Sequence, residues 1–471
     1  MPFPAQGHMN PLLKLAKLLH SKGFFITFIH TALYHRRLLR TSSSSSVSSS
    51  ASFRFVTIDD GVSEDESTHT LHYVQDCMRR HCPASLRELL VREEDEGVVP
   101  PATCIVSDGV MSFTLGVAEE LRLPQVLFWT MSACGFMGYL LFEEIIKRDM
   151  APLKDDVTAR NDARLDARID WVPAMKNARL RDMPTFITHP SHPKHQGMLE
   201  FMIEECRNAS RATAIVLNTF DALELPVLDA ISASLAPPVL TVGPLMGLNN
   251  NKLIFEEPKV WQEEMGCLKW LEAQQDSSVL YINFGSIAVM TSAQLSELAF
   301  GIAGSGCRFL WVVRPDSVDG GLDGLPAGFV EETMGRGLMI MGWCPQEEVL
   351  GHRAVGGFMT HSGWNSMLES VIEGVPMACL PSVAEQPTNS RFACGEWAVG
   401  LEIGLIGDLK RERVEGVIRE LMEGEKGREI RKRALEVKEE AWRAVKPGGS
   451  SYVNLDKLVY DVLKAPMTLN G

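Results

Sequence analysis

Short runs of β-branched and aromatic residues alternate with amphipathic stretches along the first half of the chain. The runs at 24–29, 53–58 and 103–106 predict strands, because bulky apolar residues pack well on a sheet. Apolar residues at helical spacing predict helices at 11–20 and 86–91. Strands that alternate with helices in this way predict a parallel sheet with helices on both faces.

Apolar runs at 214–217 and 239–242 close the first half, and the same alternation begins again after them. The second set of predicted strands lies at 278–283, 309–313, 338–341 and 377–380. This pattern predicts an α/β protein with two Rossmann-like, doubly wound domains that face each other across a cleft. Functional residues are expected at the carboxyl ends of the strands, where such sheets bind ligands.

The chain length of 471 residues exceeds what one hydrophobic core usually holds, so two domains of about 200 residues each are expected. We place the first domain at 1–244, a linker at 245–252 and the second domain at 253–447. A C-terminal helix at 448–471 is expected to pack back toward the first domain. The serine-rich tract at 41–52 cannot bury apolar surface and is expected to form a flexible loop.

Charge and cysteine usage narrow the class of protein. The net charge of −14 argues against a nucleic-acid or anionic-membrane partner, because either needs a basic face. The ten cysteines show neither zinc nor disulfide spacing, which favours a reducing, cytoplasmic setting. Residues 1–7 lack the features of a signal peptide, and the stretch at 123–142 fits a buried strand and helix better than a membrane anchor. An Asp-x-Asp pair for a divalent cation is missing, as is a Walker-type phosphate loop.

The most informative segment runs from 343 to 386. Residues 358–360 predict a short strand, which leads through His361 and Gly363 into a helix that begins near Trp364. The first amides of a helix have no intrahelical partner, and the helix dipole favours negative charge at this end. The turn therefore predicts a phosphate-binding site, in which Gly363 lets the backbone come close to the phosphate.

Polar and aromatic side chains around this turn suit a nucleotide. Asn365 and Ser366 add hydrogen-bond donors in the first helical turn, and the helix is expected to end at Gly374. Glu369, on the same helix face as Asn365, can accept hydrogen bonds from a ribose diol, and Trp343 offers a flat face to a base. Each of these residues alone is more often a core or capping residue, but their combination in one strand–loop–helix favours a nucleotide site.

The segment resembles the signature box of plant secondary-product glycosyltransferases, the family-1 UDP-sugar enzymes with the GT-B fold. The box residues that carry the resemblance are Trp343, Pro345, Gln346, His352, His361, Gly363, Trp364, Asn365, Ser366, Glu369, Gly374, Pro376 and Gln386. The segments 4–8, 128–130, 283–286 and 446–450 are also similar to the family. Members of this family have a further strand before the position that corresponds to Met1. A native start upstream of Met1 is therefore left open.

The resemblance implies inverting transfer of glucose from UDP-glucose to a hydroxyl group of a small apolar aglycone, without a cofactor or a metal ion. The product would be a β-glucoside of a terpenoid, phenolic or cyanohydrin-like acceptor. Partners would be limited to the UDP-sugar and this acceptor, and a monomer is expected.

The same resemblance implies roles for single residues. Trp343 would stack on uracil, the backbone of Cys344 would read the edge of the base, and Gln346 and Glu369 would bind the ribose. The diphosphate would be held by Ser286, His361, Asn365 and Ser366, next to Gly363, and the sugar hydroxyl groups by Thr130, Trp364, Glu385 and Gln386. The family more often has Asp at the position of Glu385 and a Trp-Pro-aromatic-aromatic run at 380–383.

Transfer to a neutral alcohol also needs a base near the acceptor proton. His8 follows Gly7 in a Pro/Gly loop, and histidine suits the task because its ordinary pKa lies near neutrality. Asp108 follows an apolar run and can fix the tautomer of His8 and stabilise its imidazolium form. A loop histidine by itself is more often structural, and it is the resemblance, in which these positions form the catalytic dyad, that favours His8 and Asp108.

Two other classes of function stay open from the sequence. One is a UDP-sugar-binding protein without catalytic activity, which would keep the donor segment. The other is a nucleotide-dependent oxidoreductase, which would need a Gly-x-Gly-x-x-Gly fingerprint after a strand, and no predicted strand is followed by one. The acceptor pocket is expected in loops at 61–80, 131–144 and 184–202, where frequent Met and Phe suggest an apolar acceptor.

Overall fold

The computed structural model describes residues 1–41, 52–65, 69–96, 99–152, 163–189, 195, 197–248, 264–285, 290–314 and 325–464, with the backbone alone at 40–41 and 93–96. The chain divides into two compact units. The first comprises Met1–Leu180, Thr185–Val260 and Arg443–Gly471, and the second comprises Arg181–Pro184 and Trp261–Trp442. Each unit is an α/β structure on parallel sheets, as predicted. Residues 42–51 of the predicted serine-rich loop and residues 249–252 of the predicted linker fall outside the described residues.

The strands of the first unit form two parallel sheets. β1 (Ile26–Thr31) pairs with β2 (Phe53–Ile58), and the second sheet has the order β3 (Ile105–Asp108), β4 (Gln125–Trp129), β5 (Ala214–Leu217) and β6 (Val239–Thr241). Met1 lies beside β3, because its amino group donates to the Val106 carbonyl at 2.8 Å and its carbonyl accepts from the Asp108 N–H at 2.9 Å. Because β3 and β4 are parallel neighbours, their carboxyl ends lie at the same edge of the sheet.

Helices cover these sheets. They are α1 (Gln6–Ser21), α2 (Ala32–Thr41), α3 (Leu71–Glu96), α4 (Phe113–Leu121), α5 (Ala133–Leu140), α6 (Phe142–Lys147), α7 (Thr185–Thr188), α8 (Met198–Ala209), α9 (Asp221–Ser234) and α10 (Leu245–Leu248), with 3₁₀ turns at Ala163–Asp166, Pro173–Met175 and Leu180–Asp182. α1 begins before the predicted start at 11, because its first turn is largely polar. α3 begins well before the predicted start at 86: Val74, Met78 and Cys82 are buried at helical spacing, but Pro83 interrupts the pattern in the sequence. Residues 71–80, expected in an acceptor loop, are therefore helical.

The predicted strand and helix at 123–142 are present as β4 followed by α5. All five residues of β4 are buried, as in a strand covered on both faces. No helix in the described parts of the chain has the length and apolar character needed to cross a membrane.

The second unit has one parallel sheet of six strands. Its strands are β7 (Val279–Asn283), β8 (Arg308–Val313), β9 (Gly337–Met341), β10 (Val355–Thr360), β11 (Met377–Cys379) and β12 (Gly400–Glu402), in the spatial order β12-β11-β10-β7-β8-β9. The helices are α11 (Gly266–Glu272), α12 (Ser292–Ser305), α13 (Phe329–Glu332), α14 (Gln346–Leu350), α15 (Trp364–Glu373), α16 (Gln386–Cys394), α17 (Arg411–Glu423) and α18 (Glu425–Val445), with a 3₁₀ turn at Ile406–Asp408. β7 and β10 are central, so the residues that follow them stand in the middle of the carboxyl edge.

The last helix belongs to the core of the first unit. α19 (Ser450–Lys457) continues into a π-helical turn at Leu458–Leu463. Leu455 and Leu458 are buried in the same apolar cluster as Leu12 and Leu15 of α1. Burial of each such leucine contributes about 1.5–3 kcal/mol, which fastens this helix to the first unit although it is remote in sequence.

Candidate active site

A histidine and a carboxylate meet in the first unit. The Nδ1 atom of His8 lies 2.7 Å from Oδ2 of Asp108 and 3.0 Å from Oγ1 of Thr130. Asp108 ends β3 and Thr130 directly follows β4, the neighbouring strand. The sheet edge therefore brings side chains to His8 from positions 100 and 122 residues away.

His8 lies in the first turn of α1, not in a Pro/Gly loop as the sequence suggested. The helix begins at Gln6, after Ala5 in extended conformation. The inner face of α1 carries the buried residues Leu12 and Leu15. Packing of this face anchors the helix that carries His8.

Asp108 is buried and accepts hydrogen bonds from several directions. Its side chain is 1% exposed, against 25% for His8. The backbone N–H of Phe3 donates to Oδ2 at 3.4 Å, and that of Val110 donates to Oδ1 at 3.1 Å. A carboxylate held in this way accepts the Nδ1–H of His8, so the neutral ring carries its lone pair on Nε2.

The predicted phosphate turn lies at the centre of the sheet in the second unit. β10 pairs with β7 and β11, and Thr360 stands opposite Asn283 at the carboxyl ends of their strands. The turn 361–363 follows, and α15 runs from Trp364 to a C-cap at Gly374 with a φ of 70°, as predicted. Gly374 suits this left-handed cap because it has no Cβ.

The ring of His361 lies between two glycines. A Cβ atom would lie 2.5 Å from ring Cε1 at Gly285 and 2.3 Å from ring Nε2 at Gly363, so neither position has room for a side chain. Gly285 also has a φ of 67°, in the left-handed region that favours glycine. The two glycines let the backbone at the ends of β7 and β10 close around His361.

His361 is neutral near pH 7. Burial and, to a smaller extent, the positive charge of Arg314 together lower its pKa to about 4. Among the described residues, the Nδ1 atom of His361 has no hydrogen-bond partner. A neutral imidazole can donate a hydrogen bond to a phosphate but carries no positive charge. The positive potential that balances the charge of a phosphate would come from the amides at the start of α15.

Gln346 connects the two ends of the predicted donor segment. Its Nε2 donates to Ser366 Oγ at 2.9 Å and to Glu369 Oε2 at 2.7 Å. Its Oε1 accepts from the Tyr281 hydroxyl at 2.9 Å and from Asn283 Nδ2 at 2.8 Å. The structure thus brings Gln346, Ser366 and Glu369 together.

Tyr281 and Asn283 were not among the predicted site residues. They occupy alternate positions on β7, which is buried along its whole length, so both side chains lie on the same face of the sheet. The signal in the sequence that could have identified them is the presence of polar groups at the end of an otherwise apolar strand.

Trp343 and Cys344 come after the end of β9, at the edge of the same site. Cys344 is buried, with Sγ 3.3 Å from the Tyr281 hydroxyl. The carbonyl of the half-buried Trp343 accepts a hydrogen bond from the Glu264 N–H at 2.8 Å. Tyr281, which contacts both Cys344 and Gln346, therefore links the Trp343 segment to the residues around Glu369.

The predicted sugar contacts of the second unit differ in exposure. The Trp364 side chain is buried, at 3% exposure, and packs 5.9 Å from the Trp397 ring. Oε1 of Gln386 accepts from the N–H groups of Ser382 and Val383 at 2.9 and 3.0 Å, so it holds the loop before α16. For Trp364, the group at the helix start that can meet a ligand is the backbone N–H.

The remaining predicted residues are placed as follows. Asn365 is half-buried in the first turn of α15, and the half-buried Glu385 directly precedes α16. Ser286 lies outside the described residues. Within the part of the chain that the structure covers, no group of three or more His, Cys, Asp or Glu side chains is arranged to hold a metal ion.

Comparison with known proteins identifies a family over most of the chain. The family model described as UDP-glucoronosyl and UDP-glucosyl transferase matches residues 19–431. The chain is 48% identical to 7-deoxyloganetin glucosyltransferase from Catharanthus roseus, over 99% of this chain and 96% of the relative. It is 46% identical to (R)-mandelonitrile beta-glucosyltransferase from Prunus dulcis, over 99% of this chain and 97% of the relative.

Solved structures show the same fold. Os79 from O. sativa in complex with UDP superposes with a TM-score of 0.81 at 28% identity, covering 98% of this chain and 99% of the other. Phytolacca americana UGT2, complexed with UDP-2fluoro-glucose and pterostilbene, gives a TM-score of 0.77 at 27% identity, covering 98% of both chains. The predicted GT-B fold with two Rossmann-like domains is confirmed.

Proposed function

The chain belongs to the family of UDP-glucoronosyl and UDP-glucosyl transferases, and from this premise we propose that it transfers glucose from UDP-glucose to the hydroxyl group of a small apolar alcohol. The observation that carries the catalytic part is the hydrogen bond of 2.7 Å between His8 Nδ1 and Asp108 Oδ2. This contact supports the proposal, because a neutral ring that donates Nδ1–H to Asp108 carries its basic lone pair on Nε2, where a general base needs it.

The proposed reaction is a single displacement. Nε2 of His8 takes the proton of the acceptor hydroxyl while its oxygen attacks C1 of glucose, and the bond between C1 and the diphosphate oxygen breaks. The imidazolium that forms is stabilised by the Asp108 carboxylate. Attack opposite the leaving group inverts C1, so an α-linked donor gives a β-glucoside.

Donor binding is proposed for the second unit. Trp343 stacks on uracil, the Cys344 backbone reads its edge, and Gln346 and Glu369 bind the ribose. The proposed diphosphate ligands are Ser286, His361, Asn365 and Ser366, with Gly363 allowing close approach, and the proposed sugar contacts are Thr130, Trp364, Glu385 and Gln386. The hydrogen bonds from Gln346 to Ser366 and Glu369 support this assignment, because they bring together side chains that are 20 and 23 positions apart in the chain.

We propose that departure of UDP needs no metal ion. The start of α15 offers N–H donors and a positive dipole end to the leaving diphosphate, which gains charge in the transition state. Activity that persists in excess EDTA supports this part of the proposal. Activity lost in EDTA and restored by Mg²⁺ or Mn²⁺ contradicts it.

The acceptor class is proposed from the relatives. The names of two relatives specify 7-deoxyloganetin and (R)-mandelonitrile as acceptors. In this chain, Phe136 stacks on Trp129 at 4.2 Å, and Tyr139 stacks on Phe186 at 6.1 Å. These four rings are buried and belong to the core, so the proposal of a terpenoid, phenolic or cyanohydrin-like alcohol rests on the relatives.

UDP release from several UDP-sugars, measured against terpenoid, phenolic and cyanohydrin alcohols, tests the proposal. We expect the highest kcat/KM with UDP-glucose and a product whose mass and anomeric coupling identify a β-glucoside. UDP binding without turnover on any acceptor would instead support a binding protein. We also propose a monomer in a cytoplasmic setting, for which light scattering and cell fractionation are the measurements.

A further inference from the structure

The turn between β10 and α15 contains a non-glycine residue in a left-handed conformation. Ser362, between His361 and Gly363, has a φ of 64°. For a residue with a Cβ atom this conformation costs free energy, so the surroundings must hold it in place. The conformation of this turn sets the direction of the first amides of α15.

Two buried side chains hold the peptide groups of Ser362. Its N–H donates to Thr360 Oγ1 at 3.2 Å, and its carbonyl accepts from Asn389 Nδ2 at 3.0 Å. Thr360 and Asn389 are both fully buried. The carbonyl partner also fixes the orientation of the Asn389 amide, since only the nitrogen of that amide can donate.

Asn389 connects two parts of the proposed donor site. It lies in the first turn of α16, which begins at Gln386, and its N–H donates to the Glu385 carbonyl at 3.0 Å. Its side chain reaches back 27 positions to the phosphate turn. A displacement of the start of α16 is thereby coupled to a displacement of Ser362.

We propose that Asn389, together with Thr360, is a positioning residue that keeps the turn 361–363 in the conformation that binds the diphosphate. This inference rests on the proposed function, because it needs UDP as the ligand. Asn389 itself contacts no substrate in this proposal and acts through the Ser362 carbonyl.

The test compares UDP with uridine, which has the same base and ribose but lacks the diphosphate. We expect Asn389→Ala to weaken UDP binding by about 10-fold or more, since a buried carbonyl loses its donor. Uridine binding should change by less than about 2-fold, because Trp343 and Glu369 are untouched. Isothermal titration calorimetry measures both dissociation constants, and steady-state kinetics should show the same rise in KM for UDP-glucose.

Thr388→Val is the matched control. Thr388 is the neighbouring residue on α16, is fully buried, and donates through Oγ1 to the Asp182 carbonyl at 2.7 Å. The substitution also removes one buried hydrogen bond, but not one to the turn. It should lower the thermal unfolding midpoint while leaving UDP and uridine binding unchanged.

Thr360→Val provides a second test if Asn389→Ala does not fold. It removes the acceptor for the Ser362 N–H, keeps the shape of the side chain, and should also weaken UDP more than uridine. Equal weakening of both ligands by a folded variant, or UDP binding unchanged in either one, overturns the positioning role. Failure of the wild-type protein to bind UDP would instead overturn the proposed function.

Discussion

The His8–Asp108 pair of the first unit is assembled from residues 100 positions apart, whereas most of the proposed donor residues of the second unit lie within 343–386. The two side chains are joined by one hydrogen bond at the edge of a sheet. The donor residues share several hydrogen bonds, and Gln346 alone makes four of them. In the proposed function, therefore, the chemical step uses a few atoms of the first unit, and donor binding uses many atoms of the second.

His8→Ala should cause the largest loss. Removing the proposed base is expected to lower kcat/KM by about 10³, within the range for general bases, while the Kd of UDP stays within about 2-fold. UDP release and calorimetry measure the two quantities. His20→Ala is the control on the same helix, because His20 contacts Ser52 and lies in the last turn of α1. Near-normal turnover by His8→Ala would remove the assignment.

Asp108→Asn should cause the second largest loss. An amide in place of the carboxylate no longer stabilises the imidazolium and can donate to Nδ1, which favours the wrong tautomer. We expect kcat to fall by about 10² while the KM for UDP-glucose is unchanged. A rise in this KM without a fall in kcat would assign Asp108 to binding and erase the contrast between the two units.

Acid should destabilise both units through one buried histidine each. Burial lowers the pKa of His30 in the first unit and of His361 in the second to about 4. Unfolded chains bind these protons near the ordinary pKa of about 6.5, so the stability that each neutral histidine contributes is lost as the pH falls from 6.5 toward 4. Each should account for about 2 kcal/mol between pH 7 and pH 5.

Urea unfolding at the two pH values measures this loss. His30→Asn and His361→Asn should each reduce the pH dependence, but only His361→Asn should also weaken UDP binding. A pH dependence that neither substitution changes would show that other groups cause the acid destabilisation.

Glu369→Gln should have the smallest effect of this series. The neutral side chain keeps its shape but is a weaker acceptor, so UDP and uridine are both expected to bind about 10-fold more weakly. With saturating donor, kcat should stay within about 3-fold of the wild-type value. A loss confined to kcat would mean that the second unit also takes part in the chemical step.

Local patterns in the sequence were enough for the strand–turn–helix of the proposed donor site. The apolar run before His361 and the glycine at 374 predicted β10, the turn and the end of α15, and all three are present. Such features depend on neighbours within one or two turns, so their signals stay close together in the chain. The signature residues in this segment also led to the family that the comparisons identify.

Contacts over long distances in sequence were not predictable in the same way. The polar first turn of α1 concealed its start, so His8 was expected in a loop. The bonds of Tyr281 and Asn283 to Gln346 and of Asn389 to Ser362 join segments that are far apart in the chain. A polar residue at the end of an apolar strand can be noticed in the sequence, but the local pattern does not tell which distant group it contacts.

The sequence by itself determined the parallel α/β class, the turn at 361–363 and the residue types suited to a UDP-sugar, because periodicity and capping act over a few residues. Only the tertiary structure decided that His8 stands on a helix against Asp108, that the Trp364 ring is buried, and which side chains hold Ser362. The physical reason is that sheet register and helix packing bring together groups whose separation along the chain carries no information about their contact.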